Sequence, residues 1–238
     1  MNAAHTGELP GARNRPETLR LFIAVELPAA VRDALSQAMR ALQDAGVNEG
    51  LRWVRPEGVH ITLKFLGPTP AAKVEHITAG LHRAVAGSTP FTLQPAGFGA
   101  FHGGRNRHFT RQHPRESYRD NIRVLWVGVH GDTDTLASLA RRVEEEIAPL
   151  GFPTEKRTFA AHLTLARVRD DATRETRIAL SEALQPFLSE SAARFDPDRV
   201  PQFPAFRVDH ISLMQSILRP GGALYRALHT VQLNDAVR

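Results

Sequence analysis

The 238-residue chain contains no cysteine. That single absence removes a disulfide framework, a thiolate zinc site and a cysteine nucleophile. No apolar run approaches the roughly 20 residues that a membrane span requires. The N-terminus has no apolar segment following a basic one, as a secretory leader would, so the expectation is a cytoplasmic protein with no membrane partner. Low-complexity runs and short-period solenoid repeats are missing as well. At 42% hydrophobic residues the chain is long enough to bury a core as one domain or two small lobes.

Charge is present with a basic tilt. The 30 Lys and Arg outnumber the 25 Asp and Glu, for a net charge of +5 with His neutral. This favours an anionic partner such as nucleic acid. Much of the excess is Arg, whose planar fork suits phosphate oxygens; genomic bias produces the same usage, and both readings stand.

Residues 1–18 hold Gly, Pro and Asn without apolar periodicity and read as a flexible tail. The fold is expected over residues 19–233 as one bilobal domain, with residues 234–238 a C-terminal tail. Leu19 to Leu27 reads as a strand, and after Pro28 the spacing of Val31, Leu35, Met39 and Leu42 reads as a helix. Further strands are expected at Gly58–Gly67, Pro90–Phe98, Arg123–His130, Ala160–Val168 and Phe206–Gln215. Further helices are expected at Lys73–Ala86, Asp132–Leu150 and Thr173–Leu188, with a turn at Pro220-Gly221-Gly222. The polar stretch around residues 102–122 shows neither periodicity and reads as a basic loop insertion. Arg105, Arg107, Arg111, Arg115 and Arg119 there either grip an RNA backbone or simply decorate a solvated loop.

One tetrapeptide recurs: His60-Ile61-Thr62-Leu63 is echoed by His162-Leu163-Thr164-Leu165. Each copy lies on an expected strand, where side chains alternate. The His and Thr of each copy therefore share one face while the aliphatic residues point to the core. If the halves are related by an approximate two-fold axis, two imidazoles and two hydroxyls meet across one cleft. In-line displacement at phosphorus needs a base for water on one side and an acid for the leaving oxygen on the other. Imidazole, titrating near pH 6.5, can fill either role. Thr62 and Thr164 are placed to hold non-bridging oxygens.

A lone His-x-Thr-Leu on a half-buried strand is more often structural than catalytic; it is the duplication that argues for catalysis. Neither copy carries a neighbouring carboxylate, and two histidines are too few ligands for a metal, so neither metal nor cofactor is expected. A third near-copy, His210-Ile211-Ser212-Leu213, breaks the two-half symmetry and reads as structural. The other histidines lie in the tail, on helices, in the long loop or near element ends.

At these residues the chain resembles the 2H phosphoesterase superfamily, in particular the bacterial and archaeal RNA 2′,3′-cyclic phosphodiesterases once called 2′-5′ RNA ligases. Arg20-Leu21-Phe22-Ile23-Ala24 is similar to the family's opening strand, and the run from Trp53 through His60 to Gly67 to its first catalytic motif. Arg123 to Gly128 is similar to its central strand, and Phe159 through His162 to Arg167 to its second motif. Leu213, Ser216, Gly222 and Tyr225 fit its closing pattern. The resemblance implies an α+β fold, bilobal and pseudo-two-fold, with two antiparallel-rich sheets facing a central cleft and helices outside. It also implies metal-independent opening of a 2′,3′-cyclic phosphate to a 2′-phosphate, together with the reverse ligase chemistry. His162 would then activate water and His60 protonate the leaving 3′-oxygen. The partner would be RNA bearing a 2′,3′-cyclic phosphate end, and the protein a monomer. Two departures stand out. Ala161 occupies a position where the family usually has Pro, and the 102–122 stretch is longer than expected.

Three neighbours of the pair carry two readings each. Arg167 matches a phosphate-contacting Arg of the family, yet strict alternation sets it opposite to Thr164 unless the strand bulges. Phe22 either stacks a base or belongs to the core. Lys64, on the His60 and Thr62 face by parity, either attracts phosphate or is a solvated strand-end lysine. Small cyclic nucleotides as substrates, and a non-catalytic RNA-end binding module, are the rival functions.

Overall fold

The computed structural model describes residues 17–103, 122–188, 201–219 and 222–233. Most of the Arg-rich stretch, residues 1–16 and residues 234–238 lie outside them. The element order is β1 (Thr18–Glu26), α1 (Ala29–Asp44), β2 (Leu51–Trp53), β3 (His60–Pro70), α2 (Val74–Val85), β4 (Phe91–His102) and β5 (Ile122–Gly131). It continues with α3 (Thr133–Ile147), β6 (His162–Val168), α4 (Arg174–Leu184), β7 (Phe206–Val208), β8 (His210–Arg219) and β9 (Gly222–Gln232). The strands form two antiparallel sheets, β3-β1-β8-β9 and β2-β6-β5-β4-β7, which is the α+β arrangement anticipated.

The helices form because their apolar residues recur every three or four positions and must be buried. Val31, Leu35, Met39 and Leu42 are buried on α1, and Leu136, Leu139, Ala140, Val143 and Ile147 on α3. At about 1.5–3 kcal/mol per buried aliphatic side chain, such a stripe offsets part of the ordering cost of its helix. These stripes join one core with Leu21, Ile23 and Ile61 of the first sheet and Leu125, Leu163 and Leu165 of the second. The opposite face of the first sheet carries its own small cluster, Phe22, Ala24 and Met214, with Tyr225 packed against it. That face floors the cleft.

The two sheets repeat one pattern. In the first, β3 pairs with β1 and β1 with β8; in the second, β6 pairs with β5 and β5 with β4. The strand bearing each His-x-Thr motif thus leads the same three-strand array in both lobes.

Several boundaries differ from the sequence-based expectation. Residues Phe206–Gln215, expected as one strand, divide at Asp209: β7 pairs with β4 in the second sheet, while β8 pairs with β1 and β9 in the first. β4 runs on to His102, past the expected end at Phe98 and up to the stretch read as loop. β1 opens at Thr18, inside the stretch read as tail. β9 has no counterpart among the expected strands. Among the described residues no helix is long and apolar enough to cross a membrane.

Candidate active site

Both motifs run into the same irregularity. Along β1 and β3 the register steps from Ala24 opposite Thr62 to Ile23 opposite Lys64, leaving Leu63 unpaired as a bulge. Along β5 and β6 it steps from Trp126 opposite Thr164 to Leu125 opposite Ala166, leaving Leu165 as its counterpart. A bulge shifts the facing of everything beyond it by one residue. Arg167 therefore joins His162 and Thr164 on the cleft face. In the other lobe the same shift brings Phe65, 62% exposed, onto the face of His60 and Thr62.

The shift also settles Lys64, which parity alone set on the His60 face. It is turned inward, 4% exposed, with Nζ donating to Glu144 Oε2 at 2.6 Å and to the Pro153 carbonyl at 2.8 Å. This buried tie to α3 replaces the solvated or phosphate-facing lysine considered from sequence.

The two histidines are held alike. Nδ1 of His60 lies 2.7 Å from the Gly58 carbonyl and Nδ1 of His162 lies 2.8 Å from the Ala160 carbonyl. A carbonyl only accepts, so each Nδ1 carries the proton and each Nε2 keeps its lone pair. Aromatic rings hold the imidazole planes. Phe22 stacks on His60 with centroids 4.6 Å apart, and Tyr225 meets it edge-on at 5.2 Å. Phe101 meets His162 edge-on at 4.8 Å.

Burial lowers the pKa of His60 from 6.5 to about 4; the Gly58 hydrogen bond and Glu26 oppose this, while Arg167 and His162 add to it. Burial likewise lowers that of His162, opposed by the Ala160 bond and reinforced by Arg167. The Arg167 guanidinium thus acts on both rings. The cleft sets two imidazoles biased toward the neutral form beside a fixed cation, an arrangement that favours a bound anion.

A cavity of about 420 Å³ opens over the first sheet, with Phe22, His60, Thr62, Phe65, Thr164 and Arg167 in its wall. Arg20, Ser216, Leu218, Ala223 and Tyr225 of the first sheet complete it. His162 adjoins it from the next cleft-facing position of β6 after Thr164. Five of the six residues singled out from sequence therefore line one cavity, and the sixth, His162, shares a strand face with Thr164 of that wall. Phe22 is only 2% exposed and gives a face to His60, so it is wall rather than open platform. His210 is not in the cavity wall; its Nδ1 lies 2.5 Å from Asp209 Oδ1. Among the described residues no group of three or more His, Asp or Glu is arranged to hold a metal ion.

Sequence reading did not single out Phe65 or Tyr225 as site residues. Phe65 was recoverable: it is the fifth residue after His60, as Arg167 is after His162. Tyr225 belongs to the closing pattern of the resemblance, but β9 carries no strand pattern that would place it at the site.

The family model described as LigT like Phosphoesterase matches residues 25–109 and 127–225. The chain belongs to this family. An Archaeoglobus fulgidus protein named RNA 2′,3′-cyclic phosphodiesterase is 30% identical over 90% of this chain and 100% of its own length. A Methanothermobacter thermautotrophicus protein of the same name is 29% identical over 90% of this chain and 99% of its own. Among solved structures, a Thermus thermophilus protein superposes with a TM-score of 0.62 at 25% identity, covering 92% of this chain and 100% of its own. E. coli LigT shares the fold, with a TM-score of 0.61 at 23% identity, covering 92% of this chain and 100% of its own.

Proposed function

We propose that this protein opens RNA 2′,3′-cyclic phosphates to 2′-phosphates, with His60 and His162 as acid and base. The observation that carries the reading is the matched pair of Nδ1-bonded histidines with Nε2 free, on equivalent strands beside one cavity that holds Thr62, Thr164 and Arg167. The full-length relatives that bear the name of this activity support it.

The shape of the cavity argues for the division of labour. Its wall runs from Thr164 and Arg167 past His60 to Phe65, Leu218 and Ala223 and does not include His162. A nucleoside fits that side, and the leaving oxygen belongs to the nucleoside. In-line geometry then sets water on the His162 side. Nε2 of His162 takes a proton from water as the water oxygen bonds to phosphorus. The bond from phosphorus to the 3′-oxygen breaks, and that oxygen takes a proton from Nε2–H of His60. The product keeps its phosphate on the 2′-oxygen. Arg167 and the two threonine hydroxyls face the non-bridging oxygens, where charge builds. Phe65 offers the open ring on which a base stacks.

The test is incubation of a 2′,3′-cyclic-phosphate oligonucleotide and the matching mononucleotide with the enzyme in EDTA, with the product phosphate located by NMR. A 2′-phosphate from both is expected. Activity abolished by EDTA and restored by zinc, or a 3′-phosphate product, would overturn the reading.

A further inference from the structure

A polar row beside His60 has no part in the mechanism above. Across the first sheet, His60 on β3 stands opposite Glu26 on β1. Glu26 Oε2 accepts a hydrogen bond from Ser212 Oγ at 2.6 Å, and that hydroxyl lies 3.2 Å from Thr230 Oγ1. Ser212 is fully buried, so the carboxylate is held by a group that has no room to swing away. The second lobe lacks this device. Opposite His162 stands Gly128, and a Cβ there would meet the Ala96 carbonyl oxygen at 2.8 Å. No side chain, and so no carboxylate, fits at that place.

We propose that Glu26, fixed by Ser212, is the positioning residue that makes His60 rather than His162 the proton donor. The inference rests on the two-histidine reading and deepens it. The two imidazoles share a tautomer, a carbonyl contact and the field of Arg167; what separates them is a carboxylate beside one and a bare backbone beside the other. An acid must carry its proton before it gives it up, and a nearby negative charge favours imidazolium. Burial opposes this at His60. The Glu26 side chain is 36% exposed, so solvent screens part of its field; the negative charge of an arriving phosphate adds to that field, and the charged form gains at His60 once substrate is bound.

Among the described residues, the charged and titratable groups around the pair are few. His60 is faced by Arg167 and His162 from the second sheet, by Glu26 from β1 and by Tyr225 from β9. Glu26 is faced by His60 and by His210, whose Nε2 lies 3.9 Å from Oε2 and which has Asp209 behind it.

The experiment compares Glu26→Gln, which preserves the Ser212 hydrogen bond, with wild type. The alkaline limb of kcat reports the acid in the enzyme–substrate complex. In the variant it should move down by about half to one pH unit, with kcat at pH 8 falling about 3- to 10-fold and KM changing less than about twofold. Glu26→Asp should restore most of the loss, and Ser212→Ala should give a smaller shift of the same sign. NMR titration of the two imidazoles in inorganic phosphate needs no turnover: the His60 midpoint should drop in Glu26→Gln and that of His162 stay. A hydrolysing enzyme whose alkaline limb is unmoved, or whose acidic limb moves instead, overturns the inference. A wild type that does not open the cyclic phosphate overturns the functional reading, and the titration then still decides whether Glu26 governs His60.

Discussion

Phe65 and Arg167 occupy equivalent places on the two bulged motif strands, an aromatic ring in one lobe where the other has a guanidinium. The pseudo-two-fold is broken at this pair. Charge for a phosphate comes from one side of the cleft and a flat apolar surface from the other. On the function proposed above, this asymmetry would orient a nucleotide in the site, and it gives the two residues separable kinetic signatures.

Arg167→Ala should lower kcat/KM by roughly 10- to 100-fold for oligonucleotide and mononucleotide alike, because a charged hydrogen bond to phosphate is worth about 1.5–3 kcal/mol. Phe65→Ala should raise KM by about 5- to 100-fold and leave kcat near wild type, as loss of base stacking at about 1–3 kcal/mol would. Steady-state kinetics on both substrates separates them. A kcat effect at Phe65 equal to that at Arg167 would rule out a stacking role.

Replacing His60 or His162 by Ala should each lower kcat by about 10²- to 10⁴-fold, the range for losing general acid or base help. His210→Ala, outside the cavity wall, should stay within about twofold of wild type. Wild-type turnover by either motif variant removes that histidine from the mechanism.

Stability should fall in mild acid. Burial lowers the His60 pKa to about 4 in the fold, against 6.5 for an unperturbed imidazole. Above pH 6.5 neither state binds the proton. Between 6.5 and 4 the unfolded chain binds it first, so stability declines as pH falls through that window and the loss is complete below 4. The full effect is about 3 kcal/mol at 1.36 kcal/mol per pH unit. Denaturant midpoints of wild type and His60→Ala between about pH 4 and pH 7 check this; the variant should show a flatter curve, and parallel curves would contradict it.

Lys64→Ala should destabilise by about 3–5 kcal/mol, since it strips the buried partner from Glu144. Lys64→Met with Glu144→Leu should recover most of that loss, because a packed apolar pair replaces a desolvated charge pair. Chemical denaturation of the single and double variants measures both. Catalysis should survive in each, as Lys64 faces the core and not the cleft.

The repeated tetrapeptide, the tautomer-independent logic of an acid/base pair and the alternation of strand and helix were all legible in the chain itself. Local periodicity encodes them, and periodicity survives without knowledge of the fold. The end of the repeat was legible too: residues five beyond each histidine differ as Phe and Arg in the bare sequence.

What alternation could not give was the direction those residues take. Two matched bulges turn Arg167 and Phe65 into the cleft and Lys64 into the core, and a bulge is decided by the partner strand's register rather than by the bulged segment. β9 escaped for a related reason. As an edge strand with most of its residues at least partly exposed, it has no apolar alternation, and its pairing along β8 defines it. That pairing alone brings Tyr225 to His60. Glu26 likewise reads as an ordinary strand-end acid until the sheet sets it across from His60 and closes Ser212 over it. Sequence determined which groups are candidates for the chemistry; long-range strand registry decided which way they face and which neighbour stands beside each one.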